Sequence, residues 1–161
     1  MINQDDLRRL LAYDAQTGLF TWIAGSGTAK SGAACAALDG GGYIQIRINR
    51  RAYKAHRLAW LYVYGKWPDK FIDHINGVRT DNRLTNLREV DALLNQQNQR
   101  HSQGASRSGL LGVSWHKPTG KWRARISVNK TAIHLGSFDT PEEAHAAYVA
   151  AKRLYHPACT I

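Results

Sequence analysis

Thirty residues near the middle of the chain, FIDHINGVRTDNRLTNLREVDALLNQQNQR at 71–100, constrain the fold more than any other stretch. Residues 71–74 read as the end of a strand, and Asn76-Gly77 turns the chain. The polar loop VRTDNRLTN follows, 87–90 reads as a second strand, and Asp91 is a good N-cap for a helix over 92–100. Strand, loop, strand and helix within thirty residues imply a small α+β unit, with Asp73 and His74 side by side where the first strand ends.

The segments on either side are patterned just as locally. Asn3 caps a short helix whose Leu7, Leu10 and Leu11 share a face. Gly18 precedes a short strand at 19–23, and the Gly-, Ala- and Ser-rich stretch 25–42 reads as a loop. Ile44, Ile46 and Ile48 alternate as on a half-buried strand, with Gln45 and Arg47 pointing the other way. Asn49-Arg50-Arg51 then makes a basic turn, and 52–55 returns as the second strand of a hairpin. The helix HRLAWLYVY at 56–64 is ended by Gly65 and Pro68, with Leu58, Trp60, Leu61 and Val63 expected in the core. His56 and Arg57 at its start suit either a functional role or a packing contact beside a solvated arginine.

Residues 101–109 lack apolar periodicity and read as a linker between a first domain at 1–100 and a second at 110–161. The second domain predicts strands at 111–117, 121–128 and 131–138 with a turn at 118–120. Thr140-Pro141-Glu142-Glu143 is a capping box with proline at the first helical position. The helix it opens sets Ala144, Ala147, Tyr148, Ala151 and Leu154 at helical spacing, which predicts a three-stranded antiparallel sheet packed on one helix.

Charge narrows the partners. The net charge is +10, and it is not evenly spread. Residues 1–70 hold ten Lys and Arg against five acidic residues, 71–100 hold four of each, and 101–161 hold eight against three. Two basic flanks therefore bracket a neutral centre. Such charge either keeps a protein in solution or meets a polyanion; cations that alternate with apolar residues on strands favour a shaped nucleic-acid surface. Cys35 and Cys159 stand far apart and outside any C-x-x-C spacing, which argues against structural zinc and suits a reducing cytoplasm. No apolar run reaches about 18 residues, and MINQDDLRRLL does not read as a secretory signal, so no membrane partner is expected. No obligate protein partner is evident either.

The centre has the residues that phosphodiester hydrolysis needs. A water must lose a proton, and charge on the leaving oxygen must be stabilised. His74 can take the proton, Asp73 can hold a hard cation, and the helix can return Asn95 as a second oxygen ligand. Asn86 can hydrogen-bond across the loop and hold His74 in place. Arg79, Arg83 and Arg88 are candidates to clamp phosphates, and Asn98, near Asn95 on the helix, to touch the phosphate or the metal shell. From spacing alone this grouping is either a site or a polar loop with Asn-based turns.

The sequence Asp73-His74, Asn76-Gly77, Asp81-Asn82-Arg83-Leu84 and Asn86-Leu87-Arg88, closing on Asn95 and Asn98, resembles the HNH homing endonucleases of the phage and group I intron type. The likeness runs from about 42 to 100. It implies a ββα-metal fold that cleaves or nicks DNA with one divalent cation, Mg²⁺ with Mn²⁺ as the alternative, in a bacterial cytoplasm. It also implies His74 as general base, Asp73 and Asn95 as metal ligands, and Asn86 as the brace. Asn95 stands where the third motif letter is often histidine, and an amide oxygen suits Mg²⁺ better than imidazole does.

In the second domain Trp122, Ala124, Ile126 and Val128 fall on one sheet face and Arg123, Arg125 and Ser127 on the other. Parity adds Ser114, His116 and His134 to that second face, and Lys117, Lys121 and Lys130 lie near its edges. Bidentate arginine reads guanine edges, while lysine and serine position phosphates. Gly112-Val113, Gly120-Lys121-Trp122, Leu135-Gly136-Ser137-Phe138-Asp139-Thr140 and Glu142-Glu143-Ala144 resemble the APETALA-type (ethylene-response-factor) DNA-binding domain. Ser114 and His116 stand where the plant domains usually have arginines, and Thr119 and His134 where they usually have tryptophans, so fold and DNA-binding role are implied but not the plant recognition sequence. Double-stranded DNA is the implied partner, and a site-directed endonuclease the implied activity. The alternatives are a DNA-binding regulator with a degenerate nuclease core, or a non-specific or restriction-type nuclease.

Overall fold

The Asn3 side chain accepts from the Asp6 amide at 2.8 Å and starts helix α1 (Gln4–Leu10), whose Leu7 is wholly buried. A computed structural model describes residues 1–25, 30–97, 107–156 and 159, without the side chains of Leu93 and Gln96, and divides into the units Met1–Ala92 and Leu93–Ile161. Among the described residues no helix is long and apolar enough to cross a membrane.

In the first unit, strand β1 (Leu11–Asp14) pairs antiparallel with β2 (Leu19–Trp22). Sequence reading did not anticipate β1. Leu11, expected on the helix face, leaves the helix with extended backbone and pairs with Trp22. The hairpin β3 (Gln45–Ile48) and β4 (Arg51–Lys54) buries Ile46 and Ile48 and exposes Arg47, as the alternation predicts. Helix α2 (Ala55–Tyr64) ends at Gly65, which adopts φ +74° and sends its amide to the Leu61 carbonyl. Leu58, Ala59 and Leu61 enter a core shared with Leu7, Leu11, Phe20 and the three isoleucines. Val63, expected there, is 37% exposed beside the 51% exposed Tyr64, because the last turn of α2 runs clear of the core. Strands β5 (Phe71–His74) and β6 (Leu87–Val90) form a further antiparallel pair, joined by a loop that ends in a 3-10 turn at Leu84–Asn86. Helix α3 (Ala92–Gln97) follows; the expected extension to 100 and most of the expected linker, 101–106, lie outside the described residues.

The second unit holds β7 (Val113–His116), β8 (Lys121–Val128) and β9 (Thr131–Phe138) as one antiparallel sheet in that order. Strand β7 is shorter than the expected 111–117. Gly112 sits at φ +75° where a Cβ would lie 2.0 Å from the Tyr148 ring, so the chain crosses that ring before it can extend. At the other end Pro118 belongs to a 3-10 turn, Lys117–Thr119. Helix α4 (Pro141–Tyr155) starts with both hydrogen bonds of the Thr140–Glu143 capping box. Its buried row is Ala144, Tyr148 and Lys152, continued past the helix end by His156, with Ala151 beside it. Leu154, expected against the sheet, is 81% exposed because it lies roughly a third of a turn off that row.

Candidate active site

The end of β5 brings Asp73 and His74 into the interior, where they are 8% and 5% exposed. Pairing sets His74 opposite Leu87 and Asp73 opposite Arg88. Buried polar groups need partners, and the polar loop supplies them. The His74 carbonyl accepts from the Gly77 amide at 2.8 Å, with Gly77 at φ +71° closing the Asn76-Gly77 turn. Asn86 spans the loop: its Oδ1 accepts from the Asn76 amide at 2.9 Å, and its Nδ2 donates to the Asp81 carbonyl at 2.8 Å. Asn76 Nδ2 donates to Asp81 Oδ2 at 2.7 Å.

Asn82 makes a side-chain hydrogen-bond contact to His74. Its Oδ1 lies 3.2 Å from His74 Nε2, and its Nδ2 donates to the Thr80 carbonyl at 3.3 Å. With the amide so oriented, Nε2 carries the proton and Nδ1 the lone pair. Asn82 is 1% exposed and is itself held from the N-terminal hairpin, where the Tyr13 hydroxyl donates to its carbonyl at 2.8 Å. Burial, the largest cause, pushes the Tyr13 phenol up to about 12. Gly18, at φ +74°, lets the β1–β2 turn approach so closely that a Cβ would lie 2.4 Å from the Arg83 nitrogen. Sequence reading gave no role to Asn82, Tyr13 or Gly18. Asn82 belongs to the quoted Asp81-Asn82-Arg83 run, but only the folded loop distinguishes it from its neighbours.

His56, at the start of α2, packs on His74 with ring centroids 5.0 Å apart and planes at 82°. Tyr43 touches both, at 5.3 and 5.9 Å, and carries Arg79 over its ring at 5.1 Å. Burial is the main reason that both imidazoles ionise below the ordinary range. His56 falls to about 3, with further lowering from His74, Arg57 and Lys54. His74 is lowered by burial against the opposing pull of its hydrogen bond to Asn82 and the nearby Asp73 and Asp81. A neutral imidazole with its lone pair on Nδ1 is the state a general base requires.

Arg88 donates to Asp73 Oδ2 from Nε at 3.0 Å and from Nη2 at 2.8 Å, which fixes the carboxylate across the strand pair. Arg83 is turned onto Asp81, with Nε 2.8 Å from Oδ1 and Nη2 2.6 Å from Oδ2, and Arg79 donates to the Gly41 carbonyl at 2.6 Å. All three candidate phosphate clamps, Arg79, Arg83 and Arg88, are thus held within the unit. Asn95 lies part-exposed on α3, and Asn98 falls outside the described residues. Among the described residues no three His, Cys, Asp or Glu side chains form a cation cage. The buried Asp73 carboxylate supplies hard oxygens of the kind that fit Mg²⁺, which keeps waters and substrate phosphate oxygens in its shell in place of a full set of protein ligands.

In the second unit the pairs Ser114–Arg123, His116–Lys121 and Arg125–His134 place all six residues on one sheet face. Ala124 and Ile126, on the opposite face, are buried with Ala144, Tyr148 and Ala151 of α4. Lys117 lies in the 3-10 turn after β7, where the His116 ring also meets Thr119 at 2.8 Å, and Lys130 lies at the β8–β9 turn.

Residues 53–98, from β4 to just beyond α3, match the HNH endonuclease family model, and residues 108–156 match the AP2 domain model. No curated protein and no solved structure matches the chain.

Proposed function

For a chain that carries an HNH endonuclease domain followed by an AP2 DNA-binding domain, we propose a sequence-directed DNA endonuclease of the homing type. In this reading β5, β6 and α3 are the ββα-metal core, His74 is the general base, Asp73 and Asn95 hold the cation, and Asn86 braces the loop between the strands. The observation that carries it is the buried, neutral His74, held through Nε2 by Asn82 and adjacent to a buried carboxylate.

The mechanism follows from the tautomer. Asn82 holds the Nε2 proton, so Nδ1 accepts the proton of the attacking water. Asp73 and Asp81 stabilise the imidazolium that results. Arg88 holds the Asp73 carboxylate in a single orientation. HNH nucleases use a divalent metal; Mg²⁺ or Mn²⁺, when bound, supplies positive charge to the scissile phosphate and the leaving oxygen. The AP2 sheet face, with Ser114, His116, Lys117, Lys121, Arg123, Arg125, Lys130 and His134, selects the site on double-stranded DNA. Arg79 and Asn98 flank the cleaved strand in this reading. Arg83 adds less, because Asp81 already neutralises it. One active site per chain favours nicking by a monomer.

The test is a supercoiled-plasmid assay with Mg²⁺, with EDTA as the metal-free arm. Wild type should nick the plasmid only with metal, while His74→Ala should lose cleavage and keep DNA binding. Normal cutting by the variant removes His74 as the base. Binding by wild type without cleavage under any metal turns the reading to a DNA-binding regulator.

A further inference from the structure

The β3–β4 hairpin is closed by Asn49 at φ +48° and Arg50 at φ +66°. A two-residue turn with both central residues at positive φ favours Asn followed by Gly, because only glycine takes the second position without a steric cost. Arginine therefore stands where the backbone asks for glycine. A cost of this kind at an exposed tip points to a use for the side chain.

The surroundings say what use. Arg47 is exposed on the outward face of β3, and Arg51, also exposed, opens β4 on the opposite face, across from Ile48, so the two flank the Arg50 turn from either side. Among the described residues none of the side chains of Arg47, Arg50 and Arg51 has a hydrogen bond or ion pair. Every other arginine of Met1–Ala92 does: Arg8 with the Tyr62 carbonyl, Arg9 with Asp6, Arg57 with the Pro68 and Lys70 carbonyls, Arg79 with Gly41, Arg83 with Asp81 and Arg88 with Asp73. The isoleucines of β3 are buried, so the hairpin strands themselves offer a lipid surface no apolar anchor beside these cations. Guanidinium groups match phosphate oxygens in geometry and charge. The β8–β9 turn repeats the device, with Asn129 at φ +50° and Lys130 at φ +67°.

We propose that Arg47, Arg50 and Arg51 at the tip of the β3–β4 hairpin form a contact for the phosphate backbone of duplex DNA, separate from the active-site loop and from the AP2 sheet. The proposal rests on the reading of the chain as a DNA endonuclease. It explains why the N-terminal flank is basic, and why three of its arginines lie on and beside a two-residue turn.

Arg50→Gly in the full chain separates this role from a structural one, because it relieves the backbone while removing the charge. The melting temperature should hold or rise. Affinity for duplex DNA should fall several-fold near 0.1 M salt, and the slope of log K against log salt should become shallower by about 1. If the glycine variant melts lower, the double variant Arg47→Gln with Arg51→Gln, which leaves the turn intact, decides the matter. A slope shallower by about 2 in that variant supports the contact. Wild-type affinity and slope in both variants overturn it. A wild-type chain that binds no duplex overturns the endonuclease reading and this contact together, whereas binding equal in wild type and variants overturns the contact alone.

Discussion

His74 at the end of β5 and Asn82 in the loop that follows, eight residues on, are joined by a 3.2 Å contact between Nε2 and Oδ1 inside the protein. The contact orients the imidazole, and by favouring the protonated ring it works against the lowering of His74 by burial. The acid limb of kcat/KM should therefore lie below pH 6.5 in the wild type. Asn82→Ala should move that limb to still lower pH and reduce kcat by roughly tenfold to a hundredfold, as loss of an orienting partner does. Asn82→Asp should move it the other way, since a carboxylate stabilises the imidazolium. A pH–rate profile of plasmid nicking for the three proteins checks both signs; limbs that coincide would remove Asn82 from the mechanism.

The second buried histidine gives a stability prediction. His56 Nδ1 has no hydrogen-bond partner among the described residues, and burial holds the ring at about 3 against 6.5 in an unfolded chain. Between these values the unfolded chain binds a proton that the folded chain refuses. The stabilising effect is thus fully present above pH 6.5 and is lost as pH falls toward 3. His56→Phe keeps a ring against His74 and removes the titration. It should leave stability at pH 7.5 within about 1 kcal/mol of wild type, or raise it, because an unpaired buried nitrogen is replaced by carbon. Urea melts at pH 7.5 and 5 should show a smaller difference for the variant than for the wild type.

Gly18 links a distant hairpin to the loop that carries Asn82. A Cβ there would meet the Arg83 nitrogen at 2.4 Å and the Asn82 carbonyl carbon at 2.5 Å, with φ at +74°. Neither contact involves a flexible side chain that could swing away. Gly18→Ala should destabilise the first unit by about 1–3 kcal/mol and lower kcat with little change in DNA affinity, because it displaces the backbone of Asn82. Denaturation and nicking assays on one preparation test the coupling. A variant that is less stable but turns over normally would show the hairpin to be a support for the fold alone.

What could be read from the sequence was what is local. Ile44, Ile46 and Ile48 specify their strand by alternation, Thr140 and Glu143 start α4 by a four-residue rule, and the Asp73–His74 pair marks the strand end through its chemistry. The rest depends on contacts between segments far apart in sequence. Strand β1 exists because 11–14 finds 19–22, while Leu10 and Leu11 alone look like the tail of a helix. Asn82 is one of several loop asparagines until Tyr13 and Gly18 press that loop into place. Val63 and Leu154 follow helical periodicity and are still exposed, because periodicity does not say where a neighbouring core ends.

The open sheet face of the second unit makes the last prediction. Arg125 is exposed, pairs across the sheet with His134, and stands at the register shift between Ala124 and Arg125. The extra residue at that shift, Leu135, lies on β9 opposite it; as a prediction, the exposed Arg125 reads a base edge, while Lys121 and Lys130 near the edges of the face hold phosphates. Arg125→Ala should cost about 1–3 kcal/mol at the preferred site and relax preference at one base pair. Lys130→Ala should weaken binding about equally on all sequences and make the salt slope shallower by about 1. Selection of bound duplexes from a randomised pool, with salt titrations of each variant, separates the two effects. A Lys130 variant with altered base preference beside an Arg125 variant with none would reverse the assignment of reading and anchoring residues on this face.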